Sequence, residues 1–159
     1  MKGTTSNELQ KDTSQITILI ADDDADDRML TKEAFEENQV INPIHFVGDG
    51  EELMAYLLRQ GKYADKELYP QPGMILLDLN MPRKDGREAL AEIKSHPELR
   101  RIPVIVLTTS KAEEDVIRSY NLGVNCFITK PVTFNSLVEV TRMLGKYWFE
   151  IVELPPVGE

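Results

Sequence analysis

Four short apolar runs in this chain end on residues able to do chemistry. "ITILIA" runs into Asp22 and Asp23, "MILLD" ends on Asp78, "VIVLT" on Thr108 and "CFITK" on Lys130. Such runs read as strands, and ligands of an open parallel sheet bind beyond the carboxyl ends of its strands. Three carboxylates gathered there repel one another, by about 4 kcal/mol for two unit charges ~4 Å apart at an effective dielectric near 20. A divalent cation removes that penalty. All-oxygen ligation with few protein contacts suits Mg2+, which keeps several waters and completes its shell with phosphate oxygens. Lys130 adds a point charge able to hold a phosphoryl oxygen. A carboxylate beside both is placed to attack phosphorus and form an acyl phosphate. Thr108 offers that group a hydroxyl, with Thr109 as the neighbouring alternative.

Two other readings compete for the acidic stretch "DDDADDRMLTKE". Counted from Asp22, the residues Asp22, Asp24, Asp26 and Glu33 fall at calcium-loop positions 1, 3, 5 and 12. Position 6 needs Gly for its sharp turn and is Asp27 here, and the preceding run is β-rich, so an EF-hand is rejected. A solvated helix start, where carboxylates favour the positive end of the dipole, accounts for Asp24, Asp26 and Asp27. It does not account for Asp22 and Asp23.

The supporting elements follow from periodicity. The β-branched runs "ITILIA", "PIHFV", "GMILLDL", "PVIVLTT" and "NCFITK" alternate with longer stretches of helical spacing. The first helix is expected from about Asp24 to Asn38, with Met29, Leu30, Ala34 and Phe35 on one face. Asp49 with Glu52, and Ser110 with Glu113, have capping-box spacing, Thr133 can cap the last helix, and Gly123 stops the helix that begins near Lys111. Alternation of this kind implies right-handed βαβ units and an α/β fold with a parallel sheet covered on both faces. The organisation expected is a flexible segment 1–14, one domain over 15–147 and an extension over 148–159. The stretch "RQGKYADKELYPQPG", residues 59–73, is long for a helix-to-strand connection, and reads equally as a kinase contact or a passive insert.

Composition excludes several classes. The 159 residues fit one domain, and 42% hydrophobic content is enough for a core. A net charge of −9 argues against nucleic acid and anionic membrane as partners. The single cysteine, Cys126, excludes an internal disulfide and a Cys-rich metal site, and reads as a small core residue. No apolar run reaches the ~18 residues of a span, and "MKGTTSNELQKDTSQ" lacks the apolar centre of a signal peptide. The expected compartment is the cytoplasm. His45 and His96 have no ligand spacing and are not read as a site.

The motifs "IADDD", "LLDLNMPRKDG", "VIVLTTS" and "TKP", in this order and spacing, resemble the receiver domains of response regulators, from residue 16 to about 146. The resemblance implies a flavodoxin-like, doubly wound, five-stranded parallel sheet in the order 2-1-3-4-5. It implies Asp78 as phosphoacceptor, Asp23 as a direct Mg2+ ligand, Asp22 acting through water and the backbone carbonyl of Asn80 as a further ligand, with Mn2+ or Ca2+ able to substitute. Lys130, followed by Pro131, matches the family lysine. Thr108 matches the switch hydroxyl, and Phe127 the switch aromatic, with plain core as its other reading. A sensor histidine kinase supplies the phosphoryl group, and the face built from the fourth predicted helix, the fifth strand and the fifth helix then changes shape by population shift.

The implied protein is not an enzyme beyond assisting its own phosphorylation and dephosphorylation. No output domain is expected after the last helix. The long insert, "HPELRRIPVIVLTTSKAEEDV" and "YWFEIVELP" resemble single-domain regulators that partner bacterial phytochromes, so a phytochrome kinase is the expected partner. A stand-alone receiver serving another kinase is the alternative. The cluster Tyr147, Trp148, Phe149, Ile151, Val152 and Leu154 either folds back or extends the last helix into a homodimer interface, where aromatics are enriched. The homodimer, through the fourth helix, fifth strand, fifth helix and extension, is the expectation. An aspartyl-phosphate phosphatase or phosphotransferase is a further reading. It is disfavoured because Asp78 sits in "DLNMP" rather than D-x-D-x-[TV], with no room for a cap domain. No Gly-rich nucleotide motif is present.

Overall fold

The computed structural model describes residues 16–38, 42–108, 126–129 and 134–146. Along it run β1 (Thr17–Ala21), α1 (Ala25–Glu37), β2 (Ile44–Val47), α2 (Gly50–Leu57), β3 (Pro72–Asp78), α3 (Gly86–Ser95), β4 (Val104–Thr108), β5 (Cys126–Thr129) and α4 (Phe134–Lys146). The strands form one parallel sheet in the order β2-β1-β3-β4-β5, as expected. The signals at Ser110, Glu113, Gly123 and Thr133, the aromatic ending and the segment 1–14 lie outside the described residues.

β1 and β3 are buried at every position, because central strands of a parallel sheet have helices on both sides. Leu19, Ala21, Ile75, Leu77, Val104 and Val106 share one core with Leu53 of α2 and with Leu90 and Ile93 of α3. The intervening Ile18, Ile20, Met74, Leu76 and Ile105 are equally buried and face the other way, by the two-residue period of a strand. α1 and α4 pack together, tied by Asn38, whose Nδ2 donates to the Val138 carbonyl (2.7 Å) and to Thr141 Oγ1 (2.8 Å).

Two local expectations need correction. Ala34 and Phe35 of α1 are buried as expected, but Met29 is 55% exposed and Leu30 only half-buried. The buried face instead runs through Thr31, Ala34 and Phe35, because α1 buries the stripe that meets α4 through Asn38. At α2, Asp49 caps by accepting the Glu52 N–H (2.7 Å), while Glu52 Oε1 reaches past Asp49 to the Gly48 N–H (2.7 Å). Asp24 caps α1 by accepting from the Asp26 and Asp27 N–H groups, so the later aspartates do start a helix.

The insert is a packed cover. Just past the end of α2, Arg59 takes φ 58, and the Gln60 N–H returns to the Ala55 carbonyl (2.9 Å). The chain then folds back through a 3-10 turn, Gly61–Ala64, and sets Tyr63 and Tyr69 against Tyr56, with ring centroids 5.0 and 5.9 Å away. His45 of the edge strand β2 packs against Tyr56 and Tyr69, and burial lowers its pKa. Tyr63 Oη donates to Glu52 Oε2 (2.6 Å), and Tyr56 Oη to the Pro70 carbonyl (2.8 Å). His96 Nδ1 accepts from the Glu98 and Leu99 N–H groups and starts the turn Leu99–Arg101. Both histidines are thus structural.

Burial pushes Tyr56 up to about 12, and burial with the Glu52 hydrogen bond pushes Tyr63 higher still. Both phenols are neutral in the fold, with pKa values raised above the unfolded value near ~10. Their contribution to stability is therefore whole below that pH and is lost as pH rises through the folded values. An absorbance titration is expected to leave these two of the five tyrosines protonated until the chain unfolds in alkali. All five ionising together near the ordinary value would contradict the packing of the insert. Tyr63→Phe is expected to lower unfolding free energy at neutral pH by about 1 to 2 kcal/mol, read by urea denaturation.

Candidate functional site

The register of the sheet builds the site. Ala21 of β1 pairs with Leu77 of β3, so the next residues, Asp22 and Asp78, emerge side by side at the carboxyl edge. Carboxylate oxygens of Asp22, Asp23 and Asp78 lie within 4.8 Å of one another. Asp22 and Asp78 are 1% and 5% exposed, and Asp23 faces solvent. Among the described residues this is the one group of acidic, His or Cys side chains arranged to hold a metal ion.

Backbone bonds fix each acid. The Asp22 N–H donates to the Val47 carbonyl (3.0 Å), continuing the β1–β2 pairing past the strand end. Its Oδ1 accepts from the Asp24 N–H (3.0 Å), and Arg28 Nε donates to its carbonyl oxygen (2.7 Å). Asp78 Oδ1 accepts from the Asn80 N–H (3.0 Å). Gly86 closes the loop that follows. Its N–H bonds the Leu79 carbonyl (3.0 Å), and a Cβ there would lie 2.5 Å from the Asp78 carbonyl oxygen. Only glycine allows α3 to begin so close to the strand end.

This donor set fits a hard divalent cation. It consists of oxygen alone, two of its three carboxylates are withdrawn from water, and at such spacing each pair repels by about 3 to 4 kcal/mol at a dielectric near 20. A thiolate- or imidazole-selecting metal finds no ligand among these residues.

The other expected residues are placed only in part. Asp78 pairs with Leu107, and Thr108 with Thr129, so β4 carries Thr108 to the same edge as the acids. Phe127 occupies β5 opposite Val106. Asn80 is exposed, in the loop directly after Asp78. Lys130 and Thr109 lie outside the described residues. The calcium-loop alternative falls, since the acidic stretch follows β1 rather than a helix. Pattern reading missed Arg28 and Arg83, which contact the strand-end loops, because their roles depend on where their side chains turn.

Residues 18–142 match the response regulator receiver domain family. Over 141 residues the chain is 45% identical to response regulator Rcp1 of Synechocystis sp., covering 89% of this chain and 93% of that protein. The crystal structure of the phosphorylated cyanobacterial phytochrome response regulator RcpA superposes with a TM-score of 0.79 at 44% identity, covering 89% of this chain and 99% of that one. That of the Mn2+-bound form of response regulator Rcp1 gives 0.76 at 45% identity, covering 88% and 99%. With a match over most of its length and relatives this similar across nearly their whole length, the chain belongs to the response regulator receiver domain family.

Proposed function

We propose that this chain is a phosphorylation-dependent signalling switch whose Asp78 takes a phosphoryl group from a phytochrome-type sensor histidine kinase. The observation that carries this reading is the buried Asp78 carboxylate lying within 4.8 Å of those of Asp22 and Asp23 at the sheet edge. The phytochrome assignment is supported by similarity to RcpA, a cyanobacterial phytochrome response regulator.

An Asp78 carboxylate oxygen attacks phosphorus, the P–N bond to the kinase histidine breaks, and its electron pair leaves on the imidazole, which takes a proton. The product is an acyl phosphate on Asp78. The Asn80 N–H on Oδ1 orients the carboxylate for this attack. Mg2+, for which the Mn2+ of the Rcp1 structure is a precedent, supplies neutralisation of the carboxylates and of the incoming phosphoryl oxygens when bound. Asp23, Asp78 and the Asn80 carbonyl would hold it, with Asp22 acting through water, and Mn2+ or Ca2+ would serve in its place. Lys130 supplies a fixed positive charge to a phosphoryl oxygen, Thr108 donates its hydroxyl to the new group, and Phe127 rearranges with it.

The chain acts once per phosphorylation event and is a switch rather than a turnover catalyst. Its receiver unit spans 15–147, between a lead-in over 1–14 and an extension over 148–159. Its output is partner binding in the cytoplasm. Homodimerisation runs through the fourth predicted helix, β5, α4 and the extension.

Incubation with a small-molecule phosphodonor is expected to add one phosphoryl group by intact mass, only with Mg2+, and none to Asp78→Asn. Addition that survives in Asp78→Asn would move the acceptor elsewhere. Label is also expected to pass from an autophosphorylated phytochrome kinase to the chain faster than from an unrelated histidine kinase, in equimolar rather than catalytic amount. Equal rates from both kinases would remove the phytochrome assignment and leave the switch.

A further inference from the structure

The segment Gly48–Glu52, the turn after β2 with the first residues of α2, lies outside the acidic cluster and touches both loops that build it. On the β1 side, Arg28 holds the Asp22 carbonyl and lies across Gly48 so closely that a Cβ there would come within 2.7 Å of its Nη2. On the β3 side, a Cβ on Gly50 would lie 1.9 Å from the Lys84 carbonyl oxygen, so α2 starts in direct contact with the loop 79–85. From that loop Arg83 donates Nη1 to Asp49 Oδ2 at 2.6 Å.

Arg83 has φ 63, a left-handed conformation uncommon for a residue other than glycine, asparagine or aspartate. An ordinary exposed ion pair contributes little. This one differs at its acidic end. The Asp49 side chain is only 11% exposed, and its other oxygen caps α2 through the Glu52 N–H, so Arg83 is tied to an immobile partner. Glu52 holds the turn from behind, accepting from the Gly48 N–H and from Tyr63 Oη of the insert.

We propose that Asp49 and Arg83 are positioning residues for the metal site: their ion pair holds the loop after Asp78 in the conformation that presents Asn80 to a divalent cation. The pair touches neither cation nor phosphoryl group and acts only through the loop backbone. The inference rests on the reading of Asp22, Asp23 and Asp78 as that cation's site.

The test is Mn2+ affinity of the full, unphosphorylated chain, read from the spin-resonance signal of free Mn2+. Arg83→Asn tolerates a left-handed backbone and removes only the tie. Asp49→Asn keeps a good helix cap and removes the charge and the oxygen that accepts from Arg83. Each is expected to weaken Mn2+ binding by roughly three- to tenfold, at or below the ~10-fold lower end of the effect of groups that bond metal ligands directly, because the pair acts through the loop, with an unchanged urea midpoint for Arg83→Asn. Arg83→Lys, which can still make the single contact, is expected to recover most of the affinity. Should Asp49→Asn not fold, the exposed Arg83 variants decide alone. Wild-type affinity in Arg83→Asn, or an equal loss in Arg83→Lys, would overturn the inference while leaving the metal site intact. Absence of Mn2+ binding by the wild type would overturn the metal site itself and this inference with it.

Discussion

Parallel strand pairing places like charges together at the edge of this sheet, and much of the structure there manages that placement. The one-residue offset from Ala21↔Leu77 to Asp22 and Asp78 is dictated by backbone hydrogen bonds deep in the core. The acids cannot separate without breaking the pairing of two fully buried strands. The repulsion is therefore built in by apolar packing, which acts over a far larger area than three carboxylates. A site made this way is preorganised for positive charge before any ligand arrives.

The loops around the acids are held largely by main-chain geometry. Asp22 and Asp78 each accept an N–H from two residues further on, a tight local turn that aims the carboxylate. Close approaches at Gly50 and Gly86 seat the helix starts against neighbouring backbone. Side chains with longer reach, Arg28 and Arg83, then join loops that belong to different strands. Precision at the edge thus comes from short-range turns, and coordination between the loops from arginine.

Much of this architecture was legible in the sequence because its signals are local. Strand runs, the acidic strand ends, the acidic helix start at Asp24 and the capping position Asp49 are written within a few residues of where they act. Met29 reads as buried because it is apolar in a polar helix, yet it lies 55% exposed. The buried face is chosen instead by Asn38 and its contact with α4, about a hundred residues away. The conformation of Arg83 and the return of Tyr63 to Glu52 were not legible, since both depend on tertiary contacts that no spacing announces. The insert is legible by its length, while its packing against His45 and Tyr56 depends on tertiary contacts.

The bond from Asn38 to Val138 and Thr141 joins residues 100 and 103 positions apart in the chain. The buried stripe of α1, Thr31, Ala34 and Phe35, is among the first parts of the domain to leave the ribosome, and the helix that covers it is among the last. A nascent chain therefore cannot make the bonds from Thr141 to the Ala34 carbonyl and from Asn38 to Val138 until α4 emerges, and loop closure of this span slows that step. The α1–α4 contact is thus a late, non-local step of folding, complete only when residues near Thr141 are free to dock.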